Sequence, residues 1–169
     1  MFHLLALAVS PVQGRVSQVD LSYQVKAAYI YNILKFVSFP ESALHVEGVL
    51  NVCVLGEDRF GTALDEINGA GVPQGVINII HLDDGKPMSW GDCNALYVVE
   101  TEKRNIKSIL SRVDSKAILT IGEFAPFIQY GGLIELFVQD DSIRFRINED
   151  LVKETDFQVA AQLVQLGVR

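Results

Sequence analysis

Basic residues are in short supply. The chain carries 14 Lys and Arg against 21 Asp and Glu, a formal net charge of −7, and its few cations never form a run. That distribution excludes a nucleic-acid footprint and an electrostatic grip on anionic lipid. Long apolar runs are missing too. The longest, in MFHLLALAVSPVQGR at the N-terminus, falls far short of the roughly 20 residues that span a bilayer, so no direct membrane insertion is expected. The stretch reads instead as the apolar part of an export signal, with small residues at Val12 and Gly14 where a peptidase needs them, although its positive leading region is absent and would have to lie upstream. Residues 1–20 are therefore expected to be a residual signal or flexible segment, and 21–169 the folded domain.

Cysteine is nearly absent. Cys53 and Cys93 are too few and too far apart for a CxxC metal or redox motif. After export they are free to pair, whereas in a cytosolic chain they would be two buried thiols. Histidine is equally thin, and none of His3, His45 and His81 lies in a motif with Ser or Cys that would support nucleophilic catalysis. His81 with Asp83 and Asp84 reads as a solvated turn rather than a metal site. No catalytic residue, metal or cofactor is expected.

What is present is a globular composition, 49% apolar and 21% charged, with 169 residues, enough for one sizeable core. LSYQVKAAYIYNILKFVSF predicts a largely buried helix over 21–39, ended by Pro40, with Tyr29 and Tyr31 as core aromatics. Short apolar runs at 49–56, 76–82, 94–100 and 116–122 then alternate with the helix-like segments RFGTALDEIN and TEKRNIKSILSRV. Continuous apolar strands between helices mark a parallel sheet covered on both faces. Afterwards the pattern switches to period two. LIELFVQ (133–139) and SIRFRIN (142–148) read as a hairpin joined at Asp140-Asp141, and a closing helix is predicted over 149–167 with Asn148 as its N-cap. The expected fold class is α/β: one domain, a mainly parallel sheet with helices on both faces, then an antiparallel hairpin and a closing helix.

VCVLGEDRFGT (52–62) raises the question of a phosphate loop. It has the Gly-x-x-x-x-Gly spacing between Gly56 and Gly61, but Thr62 stands where a Walker A motif requires lysine. The strand ends around it offer Glu57, Asp58, Asp83, Asp84, Glu100, Glu102 and Glu123, a rim that repels phosphate. A receiver-like reading of that rim lacks both an Asp at the end of the third strand and a late Lys. Gly56 is thus expected to be a turn residue, and the sequence supports no enzyme.

Taken together and in order, VKAAYIYNILKFVSFP, VCVLGEDRFG, DCNALYVVE, ILTIGE and IRFRINEDLVKETDFQVAAQLVQL resemble the YfiR family of periplasmic regulators, from about residue 24 onward. The resemblance implies a soluble, non-enzymatic, exported domain. It would bind the periplasmic sensory region of an inner-membrane diguanylate cyclase and repress it, keeping cyclic-di-GMP and biofilm formation low. It further implies a homodimer, an outer-membrane lipoprotein that can sequester the regulator, and a disulfide between Cys53 and Cys93. A second cysteine pair known in some members has no counterpart here. Arg144 and Arg146, on the polar side of a late strand with Asn148 beside them, are the candidate contact for a partner or ligand. The alternatives are a periplasmic small-molecule sensor that signals to a membrane kinase or cyclase, and an intracellular receiver-like module.

Overall fold

The structure is a computed structural model and describes residues 18–57, 59–82, 90–113 and 117–168. Residues 1–17 of the expected export segment lie outside it. So do Asp58, Asp83 and Asp84 of the strand ends.

Helix α1 (Gln18–Phe36) opens the described chain. It buries Tyr23, Ala27, Ile30 and, side by side, Ile33 and Leu34, each three or four residues from Ile30 or the next member of the stripe, so that they share one face. The helix stops three residues short of the predicted Phe39. Val37–Ser38 leave it as a short strand, β1, because the chain ahead of Pro40 must be extended.

The main sheet has seven strands: β2 (Val49–Leu55), β3 (Gly71–Val72), β4 (Gly75–Leu82), β5 (Ala95–Val98), β6 (Leu119–Gly122), β7 (Ile134–Gln139) and β8 (Ser142–Ile147). Their spatial order is β3-β4-β2-β5-β6-β7-β8. The five strands from β4 to β7 are mutually parallel, and β3 and β8 pair antiparallel at the two edges. In chain order the parallel set reads 2-1-3-4-5, so the winding reverses between β2 and β5.

Side chains alternate across the sheet. Val52 and Val54 join a core under α1, while Cys53 and Leu55 join one on the opposite face. That second face is covered by helix α2 (Ile106–Leu110), through Ile106 and Ile109, and by the tight turn Phe127–Tyr130. Helices therefore lie on both faces, and the fold is α/β with a C-terminal hairpin.

Two predicted helices differ. RFGTALDEIN is a succession of tight turns, not a helix. The closing helix over 149–167 is broken into α3 (Glu149–Lys153), strand β9 (Gln158–Val159) and α4 (Ala161–Leu166). The break arises because β9 pairs antiparallel with β1, Val37 opposite Val159, and a helix cannot offer its backbone to a strand.

Cys53 and Cys93 form a disulfide with Cα atoms 5.8 Å apart. Cys93 sits in the coil just ahead of β5, and both cysteines are buried.

Candidate functional site

Two places hold polar groups in unusual settings. The first is the winding reversal between β2 and β5, where sheets of this order usually take a ligand. Gly56 turns the chain there at φ 107°. A Cβ on it would come within 2.7 Å of the Thr101 hydroxyl, so this position demands glycine. The loop then drives Phe60 inward between Tyr23 and Tyr97, with ring centroids 4.9 and 5.2 Å away.

At the same end Glu123, expected on an acidic rim, is buried with its side chain only 1% exposed. Four donors converge on it. Tyr23 Oη (3.2 Å) and the Glu100 backbone N–H (2.9 Å) donate to Oε1; Lys26 Nζ (2.7 Å) and Tyr97 Oη (2.8 Å) donate to Oε2. The Lys26 ammonium also lies 4.1 Å from the Tyr23 ring centroid. Burial, reinforced by the Glu123 charge and the hydrogen bonds to it, pushes both phenols well above the ordinary tyrosine range. With both carboxylate oxygens doubly engaged, Glu123 acts as a lock and not as a free base. It fastens α1 across the ends of the parallel strands. Beside it remains a crevice of about 210 Å³ lined by Arg59, Val99, Glu100, Thr101 and Glu123. Arg59 there is exposed and 3.6 Å from the exposed Glu57, an arrangement worth little in water.

Sequence reasoning missed this network. Its signal was a lysine placed on the apolar stripe of a helix, at the spacing of Tyr23, Lys26, Ala27 and Ile30.

The second place is the outward face of the β7–β8 hairpin. In SIRFRIN, Phe145 is buried in the core beneath α1, while Arg144 and Arg146 point the other way. Tyr29 anchors the inner side: its hydroxyl donates to the Ile143 carbonyl (2.9 Å) and its ring packs on Phe145. Arg146 stands opposite Glu135, whose side chain is fully buried. The Arg146 Nη1 lies 3.4 Å from Glu135 Oε1, and the guanidinium lies 4.1 Å from the Phe137 ring centroid. Arg144 is exposed and borders a separate groove shared with Leu21, Val25 and Tyr29.

Asn148 has a framing role. Its Oδ1 accepts from Leu151 N (3.1 Å), capping α3 as expected, and its Nδ2 donates to the Ile128 and Gly132 carbonyls, both at 3.3 Å. The structure thus brings Arg146 and Asn148 to one cleft and leaves Arg144 outside it.

Among the described residues no group of three His, Cys, Asp or Glu is placed to hold a metal ion, and no helix is long and apolar enough to cross a membrane. Residues 23–168 match the family described as DUF4154, YfiR/HmsC-like. The chain belongs to this family. Its members are periplasmic regulators of diguanylate cyclase signalling, a regulatory and not a catalytic group. The match spans α1 through α4, so it takes in the Glu123 lock, the disulfide and the arginine-bearing hairpin alike. No curated protein matches the chain.

Proposed function

We propose that the protein is exported and binds the periplasmic sensory domain of an inner-membrane diguanylate cyclase, repressing it and so lowering cyclic-di-GMP and biofilm formation. The observation that carries this reading is the family match over residues 23–168. The geometry agrees with a docking role in two respects. At the end of the sheet where such folds hold ligands, α1 is fastened down through Glu123 and leaves only a crevice of about 210 Å³, and the hairpin bears an exposed Arg144 and a partly exposed Arg146 on a protein of net charge −7. Arg146, with Asn148 shaping the loop beside it, is the proposed contact, and Arg144 lies at its margin. Self-association into a homodimer and sequestration by an outer-membrane lipoprotein belong to the same reading.

The test has two arms. Deleting the gene should raise cyclic-di-GMP, and the purified protein should capture the periplasmic domain of an inner-membrane diguanylate cyclase of the same cell without added ligand. Unchanged cyclic-di-GMP, or no capture, would sink the reading. Capture only in the presence of a small molecule would move the assignment to a sensor.

A further inference from the structure

Arg146 is held where it is before any partner arrives. Glu135 takes one side of the guanidinium and the Phe137 ring takes its face. Glu135 is fixed in turn, since its Oε2 accepts from the Ile128 backbone N–H at 3.2 Å. A free arginine loses rotamer entropy when it is immobilised. Here much of that freedom is already gone, which favours whatever binds next.

The hydrogen bonding at this pair is incomplete. A guanidinium offers five N–H donors. Among the described residues, Arg146 Nε has no acceptor and Glu135 Oε1 has no hydrogen-bond donor, although both atoms are buried. A third of the Arg146 side chain (33%) is still exposed, and it heads an open cleft of about 410 Å³. The walls of the cleft include Ile128, Ile147, Val164 and Val168. On its rim stand Glu149 and Asp150, the latter 3.0 Å from Lys153, all of them exposed to water, which screens their charge from the partly buried Arg146. The site therefore presents a preorganised, partly exposed guanidinium beside an aliphatic wall.

We infer that this cleft is the anchor pocket for an acidic side chain of the protein partner, a Glu or Asp followed by an aliphatic residue. The carboxylate meets the guanidinium and the aliphatic group covers the Ile128–Val168 wall. A carboxylate is the acceptor of choice because charge-assisted bonds to a guanidinium are about twice as strong as neutral ones. The inference rests on the cyclase domain being the partner, and it commits to Arg146 over Arg144.

The experiment measures the affinity of the captured cyclase's periplasmic domain for the full chain and three variants. R146K keeps a charge beside Glu135 but loses the planar fork, and V164W fills the cleft without touching the ion pair. Both should weaken binding about tenfold or more with their far-ultraviolet spectra unchanged. R144Q, outside the cleft, should change it less than about threefold. Glu→Gln and Asp→Asn replacements in the cyclase domain should reveal one acid whose effect disappears in the R146K background. Wild-type affinity in folded R146K and V164W, or no acid coupled to Arg146, overturns the anchor pocket and leaves the cyclase reading standing. Failure of the wild-type chain to bind at all overturns both.

Discussion

Glu123 is a buried carboxylate on which four donors converge. Replacing Lys26 with methionine keeps the packing stem but leaves the buried carboxylate with neutral donors only. Removing one partner of a buried pair costs about 3–5 kcal/mol, and the slight exposure of Lys26 places the expectation near the lower figure, about 3 kcal/mol by urea denaturation. The phenols give a second reading of the same lock. Folded Tyr23 and Tyr97 keep their protons at pH values where the unfolded chain, at about 10, releases them. Their stabilisation is complete below that pH and is lost as pH rises beyond it. Unfolding free energy should therefore fall above about pH 10 by about 1.4 kcal/mol per pH unit for each phenol, and Y97F should lessen the slope. A flat profile from pH 9 to 11 would contradict the assignment. None of this was visible along the chain, since the Tyr23 and Lys26 side chains are 100 and 97 residues from Glu123. A glutamate following an apolar strand reads as exposed until its donors are known.

At the level of the element, the hairpin was the most legible part of the fold and the last helix the least. LIELFVQ and SIRFRIN alternate with period two and have a two-residue link, and that local information fixes both face and register. The link itself is imperfect. Asp140 and Asp141 both take positive φ, 49° and 55°, where aspartate is tolerated and Asn-Gly preferred. The double substitution D140N/D141G should raise the melting temperature, by about 2–4 °C if it gains about 1 kcal/mol. A lower melting temperature would show that the turn is held by something other than its backbone preference. Residues 149–167 misled because their apolar spacing does suit a helix. What breaks it is a ladder to Val37, far away in the chain, which no local pattern encodes. The arginine pair was found for a simple reason: its alternation with Ile143, Phe145 and Ile147 is local. That only Arg146 belongs to the cleft depended on Glu135, Ile128 and the C-terminal segment, which only tertiary structure assembles.

For the molecule as a whole, the disulfide closes a loop that contains all of β3 and β4 and ties β2 to the entry of β5. Such closures stabilise by about 2–4 kcal/mol, chiefly by restricting the unfolded chain. After unfolding, reduction and refolding, the thiol form should melt about 5–15 °C lower than the oxidised form. Equal melting temperatures, with two thiols titrated, would remove the bond from the stability account. Fold class followed from the sequence because the central strands are buried on both faces and so read as unbroken apolar runs. The strand order did not, because it depends on which crossover lands where.

The two-stranded ladder of β1 with β9 also bears on when the protein can fold. A chain is made from its N-terminus, and Val37 stays unpaired until Val159 has emerged. Leu163, which completes the core under α1, comes later still. The closing ladder and the last core residue therefore fall into place only after the seven strands of the main sheet have all been made.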